Sequence, residues 1–281
     1  MTLAHDIEML RPLVDRVVEI AARPIQAERK KLWADHQALR KTPRAPVSVY
    51  YEGIPTLQWQ HMFGEDYSLR CRSGWGRTIE FNLKCRLWVA EHIPDDHILW
   101  PSVCVSYPCV EKQGWGVELA QHNAPDELGA WGFDPPFKDG IDLSRLTRPR
   151  YEFDDVAGAE AIEKAHALVE GRLRVNVRYH IMNYGAFNYA TDMRGMQNLL
   201  MDTVLEPDLV YALNDFICTV CEAQTEQRER EGRINVWPEP ESPYQEVERR
   251  VHCAYKEATF DQRSPKLIDE WILIEAEDSA G

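Results

Sequence analysis

Residues 174–183 read RVNVRYHIMN, and their two-residue period decides the fold class. Val175, Val177, Tyr179 and Ile181 alternate with Arg174, Asn176, Arg178, His180 and Met182. Such alternation over ten residues is a strand with one apolar and one polar face. Working outward, 155–171 has helical spacing before it. After it come helical stretches at 194–205 and 207–231, the second opened by Pro207. HILWPSVCV (97–105) repeats the strand pattern, Leu99, Val103 and Val105 against Trp100, Ser102 and Cys104. PVSVYYEG (46–53) predicts a third strand, Val47, Val49 and Tyr51 against Ser48, Tyr50 and Glu52.

Helices separate these strands. Ile7, Leu10, Leu13, Val14, Val17, Val18 and Ala21 form one stripe over residues 6–22. Pro24 opens a second helix to about Leu39, with Ile25, Leu32 and Leu39 expected inward. A third spans 74–91 and stops before Pro94. Residues 106–150, rich in Gly, Pro and aromatics, are too long for an ordinary loop and predict an excursion with a hairpin in it. After Gly232 comes a Pro- and Glu-rich, acidic tail. The division expected is a helical segment at 1–45, a strand-helix body at 46–232 and a divergent tail at 233–281.

Alternating strands and helices predict an α/β protein. Two arrangements explain the polar strand faces. One is an antiparallel sheet with a wet side. The other is a TIM-type (β/α) barrel whose interior lines a cavity near the C-terminal strand ends.

The composition bounds the function. The chain has 281 residues, 44% hydrophobic and 28% charged, with net charge -14. That balance belongs to a globular protein. The negative field opposes nucleic acid and anionic membranes but allows a local anion pocket. No apolar run reaches the ~18–20 residues of a membrane helix, and no signal peptide is visible. Seven cysteines without framework spacing point to reduced thiols in a cytoplasm.

Residues 190–232, ATDMRGMQNLLMDTVLEPDLVYALNDFICTVCEAQTEQREREG, resemble a segment of the uroporphyrinogen decarboxylase-like superfamily. There, an Arg-Gly-Met/Val stretch opens one helix and an acidic-Pro pair the next. Arg194, Gly195, Met196, Asp202, Glu206, Pro207 and Gly232 carry the likeness. PIQAERKKLWADHQALRKTPRAPVSVY (24–50), residues 67–99 and GWGVEL (114–119) are similar to an uncharacterised branch, so the resemblance covers about residues 5–232. It implies a TIM-type barrel with a leading helical segment. It also implies a lyase, or a methyltransferase linked to a corrinoid, acting on a cyclic or carboxylate-bearing small molecule. Zinc and a corrinoid are the cofactors of the methyltransferase relatives, and a corrinoid protein or a second copy of the chain would be partners.

The chain departs from that pattern in places. YYEGIPTL (50–57) stands where the decarboxylases carry an Arg-Gln-Ala-Gly-Arg loop. GAFNYATDM (185–193) stands where they have Gly-Ala-Pro-Trp-Thr. His252 and Cys253 are adjacent where the methyltransferases have His-x-Cys, so no cofactor is evident from the sequence. The strand count by Gly232 predicts an incomplete, N-terminal portion of a barrel. A truncated, non-catalytic paralogue serving as a binding or oligomeric partner is the alternative reading, and activity stays open.

The candidate site follows from the strand ends. Arg178 can grip a carboxylate bidentately, and His180 can move a proton near neutral pH. Glu52 is either a base or the ion-pair partner of Arg178. Tyr50, Asn183, Tyr184 and Asn188 surround them as substrate-binding candidates, with His180 and Glu52 catalytic. Two further clusters have structural explanations. His92, Asp95, Asp96 and His97 make a metal-like cluster or an ordinary capped turn. Cys218 and Cys221 form a C-x-x-C inside a helix, where packing is the simpler reading. The nine tryptophans suit either a ligand wall or core positions.

Overall fold

The computed structural model describes residues 2–37, 39–47, 49, 59, 68–123, 131–179 and 186–234. It is a mixed α/β protein of two compact units. The first is drawn from Met1–Tyr107 and Asp155–Arg178, the second from Pro108–Asp154 and Tyr179–Arg233.

The first unit is built on three helices and a strand pair. Helix α1 spans Thr2–Ala21. Its 3- and 4-residue spacing buries Leu10, Val14, Val17 and Ile20, as the sequence stripe predicts. Helix α2 (Pro24–Gln37) turns a different face inward than expected. Gln26 and Trp33 are buried, while Ile25 and Leu39 are exposed. The expectation counted apolar residues only. Here the polar Gln26 faces in because its Oε1 accepts the Leu99 N–H at 3.0 Å, and the Trp33 Nε1–H donates to the Asp96 carbonyl at 2.8 Å.

Helix α3 (Gly74–His92) is capped by Ser73, whose hydroxyl accepts the Gly76 N–H at 2.9 Å. Gly76 is needed because α1 comes so close. A Cβ there would lie 2.6 Å from Asp6 Oδ2. Asp6 is fully buried and accepts the backbone N–H groups of Arg72 and Ser73. Glu80, equally buried, accepts those of Arg70 and Cys71 and pairs with Lys84. These carboxylates are anchored by donors rather than left bare in the core.

Strand β1 (Ser102–Tyr107) pairs with β6 (Arg174–Tyr179), and between them in sequence lies helix α4 (Asp155–Val169). The Arg174 N–H bonds to the Pro101 carbonyl at 2.9 Å, at the beginning of both strands, so the two run in the same direction. Leu99, Val103, Leu168, Val169 and Leu173 join the α1 and α3 residues in one core, with Val175 packed against it. The observed strand begins at Ser102, after Pro101, so the predicted 97–105 strand is shifted. Of the predicted strand 46–52, Pro46, Val47 and Val49 are described. Val47 and Val49 are 57% and 44% exposed, not on a buried apolar face. Carboxylates and one backbone bond hold them there, the Asp96 N–H donating to the Val47 carbonyl at 2.7 Å. The Val47 and Val49 N–H groups donate to Asp96 and Asp95, each at 2.8 Å.

The second unit begins with the excursion. Strand β2 (Cys109–Gln113) pairs antiparallel with β5 (Arg150–Phe153), Cys109 opposite Phe153. Between them in sequence, β3 (Ala120–Asn123) pairs antiparallel with β4 (Trp131–Asp134), the expected hairpin. Helices α5 (Ala186–Arg194), α6 (Met196–Leu205) and α7 (Pro207–Glu231) follow. The first of these has no counterpart in the sequence reading. Trp115, Phe137, Tyr189, Met193, Leu199, Leu213 and Ile217 form the core of this unit. Pro207 occupies the first turn of α7, as predicted. Among the described residues one parallel pair and two antiparallel pairs are formed, and no closed barrel.

Candidate functional site

In the first unit the candidate site is the face of the β1/β6 pair turned away from the helices. Val103 and Val175 point to the helix-side core. Strand alternation therefore sends Ser102, Cys104, Asn176 and Arg178 to the opposite face. Ser102 and Asn176 are nearly fully buried, and Cys104 and Arg178 are half-buried. The polar row is covered at Ser102 and Asn176, half-covered at Cys104 and Arg178, and exposed at Ser106 and Arg174. The Asn176 Nδ2 amide is buried with no hydrogen-bond partner among the described residues. An unmet buried donor is costly unless something accepts from it. The approach to β1 is fixed by Arg86 from α3. Its guanidinium donates to the Ser102 and Trp100 carbonyls, each at 2.6 Å.

In the second unit α5 carries Asn188 and Asp192 four residues apart, hence on one side of the helix. Tyr189, Ala190 and Met193 take the core side. Burial pushes the Asp192 carboxyl up to about 6, so it changes protonation close to neutral pH. The Arg-Gly corner that carried the resemblance is a structural clasp. The Arg194 Nε donates to Asp202 at 2.6 Å, and its Nη1 to the Phe137 and Lys138 carbonyls at 2.5 and 2.9 Å. The Phe137 N–H donates back to the Met193 carbonyl.

Of the expected site residues, Tyr50, Glu52, His180, Asn183 and Tyr184 lie outside the described residues. Of the two that are described, Arg178 lies on β6 and belongs to the first unit, and Asn188 lies on α5 in the second. Sequence reasoning missed Asn176 as a site residue, although the alternation placed it beside Arg178. It also missed Asp192. Its four-residue offset from Asn188 was visible, but its desolvation was not.

The 92–97 segment is a built turn. The His92 Nδ1 bonds to the Trp88 carbonyl at 2.9 Å, and the two rings stack at 4.7 Å. Asp95 accepts the His97 N–H, and Arg44 grips Asp96 bidentately at 2.5 and 2.6 Å. The Arg44 guanidinium holds the Asp96 carboxyl below its ordinary value. Burial, then Arg86 and Arg29, push the His97 imidazole down to about 3, so it stays neutral. Among the described residues, no three His, Cys, Asp or Glu side chains converge as metal ligands. His252 and Cys253 lie outside them. Cys221 is half-buried but Cys218 is exposed, which corrects the expectation that both pack inward. Position 218 falls on the outer side of α7, one residue beyond the buried Ile217.

Among the described residues no helix is long and apolar enough to cross a membrane. In comparison with known proteins, no family model, no curated protein and no solved structure matches this chain.

Proposed function

We propose that the chain carries the N-terminal portion of a TIM-type barrel of the uroporphyrinogen decarboxylase-like lineage, a lyase or corrinoid-linked methyltransferase in type. Its substrate is a carboxylate-bearing or cyclic small molecule. One observation carries the reading. The parallel β1–α4–β6 unit places a buried amide donor at Asn176, without an acceptor among the described residues, on a polar strand face that also carries the half-buried Arg178. An amide and a guanidinium on one strand face suit a carboxylate oxygen pair. The collinear sequence likeness over residues 5–232 supports the same lineage. Proton transfer falls to His180, two residues beyond Arg178 in the chain, with Glu52 as its partner base or as the counter-charge of Arg178.

The test is calorimetric titration of the full chain with a tetracarboxylate porphyrin, with cobalamin binding followed by absorbance. One equivalent of porphyrin or cobalamin should bind. Loss of a charged hydrogen bond in Arg178→Ala should weaken the porphyrin about 10- to 100-fold. Absence of binding to either probe overturns the reading. Binding that is unchanged in Arg178→Ala removes this residue from the site.

A further inference from the structure

The polar row of the β1/β6 pair sets a thiol beside an unmet donor. The bond from the Arg174 N–H to the Pro101 carbonyl fixes the parallel register. It places Ser102 beside Arg174, Cys104 beside Asn176 and Ser106 beside Arg178, on neighbouring strands ~4.8 Å apart. Asn176 is only 3% exposed, and its Nδ2 has no acceptor among the described residues. Cys104, directly across from it, is half-buried and in no disulfide. The β1 side of the row is small throughout, and it opens from the buried Ser102 to the exposed Ser106. An extended arm of a ligand can lie along it from the Ser106 end.

The charges select the ligand. The described positions of this row carry two guanidiniums and no carboxylate, within a chain of net charge -14. Arg174 and Arg178 lie two residues to either side of Asn176, ~7 Å along the strand and within reach of Cys104 for so long a side chain. Cations beside a thiol favour the thiolate, which is the attacking form. An acceptor oxygen is what Asn176 lacks, and carboxylates are what the guanidiniums suit.

We propose that Cys104 is a thiol-exchange site for a small, peptide-like disulfide bearing carboxylates, one oxygen of which accepts from the Asn176 amide. The Cys104 proton goes to solvent, and the thiolate sulfur attacks one sulfur of the disulfide. A new S–S bond forms and the ligand's own S–S bond breaks. Its second sulfur leaves with the electron pair as a thiolate, so the disulfide is the oxidant. The product is a mixed disulfide lying on the strand face. This exchange rests on the reading of that face as a carboxylate site and not on the lineage.

The reduced full chain is exposed separately to oxidised glutathione, which carries carboxylates and amides, and to cystamine, a disulfide with amines in their place. Peptide mass mapping after an acid quench gives the rate at each cysteine. At Cys104 oxidised glutathione should react faster by about tenfold or more, since a positive patch raises an anion's encounter rate. Cys218 is the opposite control. It is exposed on α7 with Asp215 and Glu222 three and four residues away, so cystamine should be the faster reagent there. Asn176→Ala should slow oxidised glutathione at Cys104 about 3- to 10-fold and leave cystamine little changed. If that variant does not fold, the reagent ratio in the native chain decides. No adduct at Cys104 in the folded chain, or cystamine as fast as oxidised glutathione there, overturns the proposal. So does a folded Asn176→Ala chain that keeps the native ratio. Porphyrin binding without the Cys104 adduct sinks the exchange alone. The adduct without porphyrin or cobalamin binding sinks the lineage alone.

Discussion

Gly158→Ala should destabilise the protein, although alanine is the better helix former. The position lies in α4, where the exchange would ordinarily gain up to ~1 kcal/mol. Here an added Cβ would fall 2.2, 2.4 and 2.6 Å from three carbons of the Tyr107 ring. Ordinary carbon contacts need ~3.5–4.0 Å, so ring or helix must move by more than about 1 Å. Neither is free to do so. Tyr107 is 8% exposed, and its hydroxyl donates to Asp155, the first residue of the same helix, at 2.8 Å. Overpacking costs ~1–3 kcal/mol. Loosening a hydrogen bond to a carboxylate adds ~1.5–3 kcal/mol. Less the helix gain, the net loss is about 1.5–5 kcal/mol. Urea unfolding followed by far-ultraviolet circular dichroism should show the midpoint shifted down. The decisive measurement is the double-mutant cycle. In a Tyr107→Ala background the clash is gone, and Gly158→Ala should be neutral or stabilising. A neutral or stabilising Gly158→Ala in the native background would refute the tight β1–α4 packing. So would simple additivity in the cycle.

Asp192 gives a pH dependence with an uncommon sign. Its folded value, pushed up to about 6, exceeds the ordinary carboxylate value. The folded state therefore binds more protons between these values, and this group's contribution to stability falls as pH rises from about 4 to about 6. Asp192→Asn should stabilise the fold at pH 8 by about 1–3 kcal/mol and remove that slope, read from melts across pH. Arg194→Met should cost about 3–5 kcal/mol, because it leaves Asp202 buried without its partner. Arg194→Met/Asp202→Leu should recover most of the loss in the same unfolding assay. Thiol titration should find Cys218, exposed on α7, quick to react. Cys71 and Cys85 are buried, with thiols pushed up to about 12 mainly by burial, and should react only on unfolding.

Periodicity reveals which residues face a core when a helix has one apolar side, and α1 is such a helix. It fails where polar side chains do the anchoring. Gln26 turns inward on α2 because it caps a backbone donor at Leu99, which no count of apolar residues registers. Val47 and Val49 look like strand residues, yet the two N–H groups described there are held by aspartates 46 or more residues away. Those aspartates belong to the cluster whose composition first suggested a metal. Its carboxylates are instead engaged by backbone N–H groups and Arg44. Sequence shows that such a cluster exists, and only long-range contacts show what occupies it.

The same limit governs the candidate site. Alternation in RVNVRYHIMN was enough to separate Asn176 and Arg178 from Val175 and Val177. It could not say whether the polar side was wet. The structure shows a face buried at Ser102 and Asn176 and open at Ser106 and Arg174, with the Asn176 amide as the donor there that lacks an acceptor among the described residues. Asp192 is the converse case. Nothing in ATDMRG marks its aspartate as titrating near neutrality, because desolvation comes from the packing around α5. Helix α6 follows the same logic at the surface. MQNLLMDTVL reads only as a helical stretch, and its pattern becomes informative once Leu199 and Asp202 are seen to make up its core side. What remains faces solvent, with Gln197 and Thr203 among the exposed Met196, Leu200, Met201, Val204 and Leu205, so burial rather than the helical pattern separates the two sides.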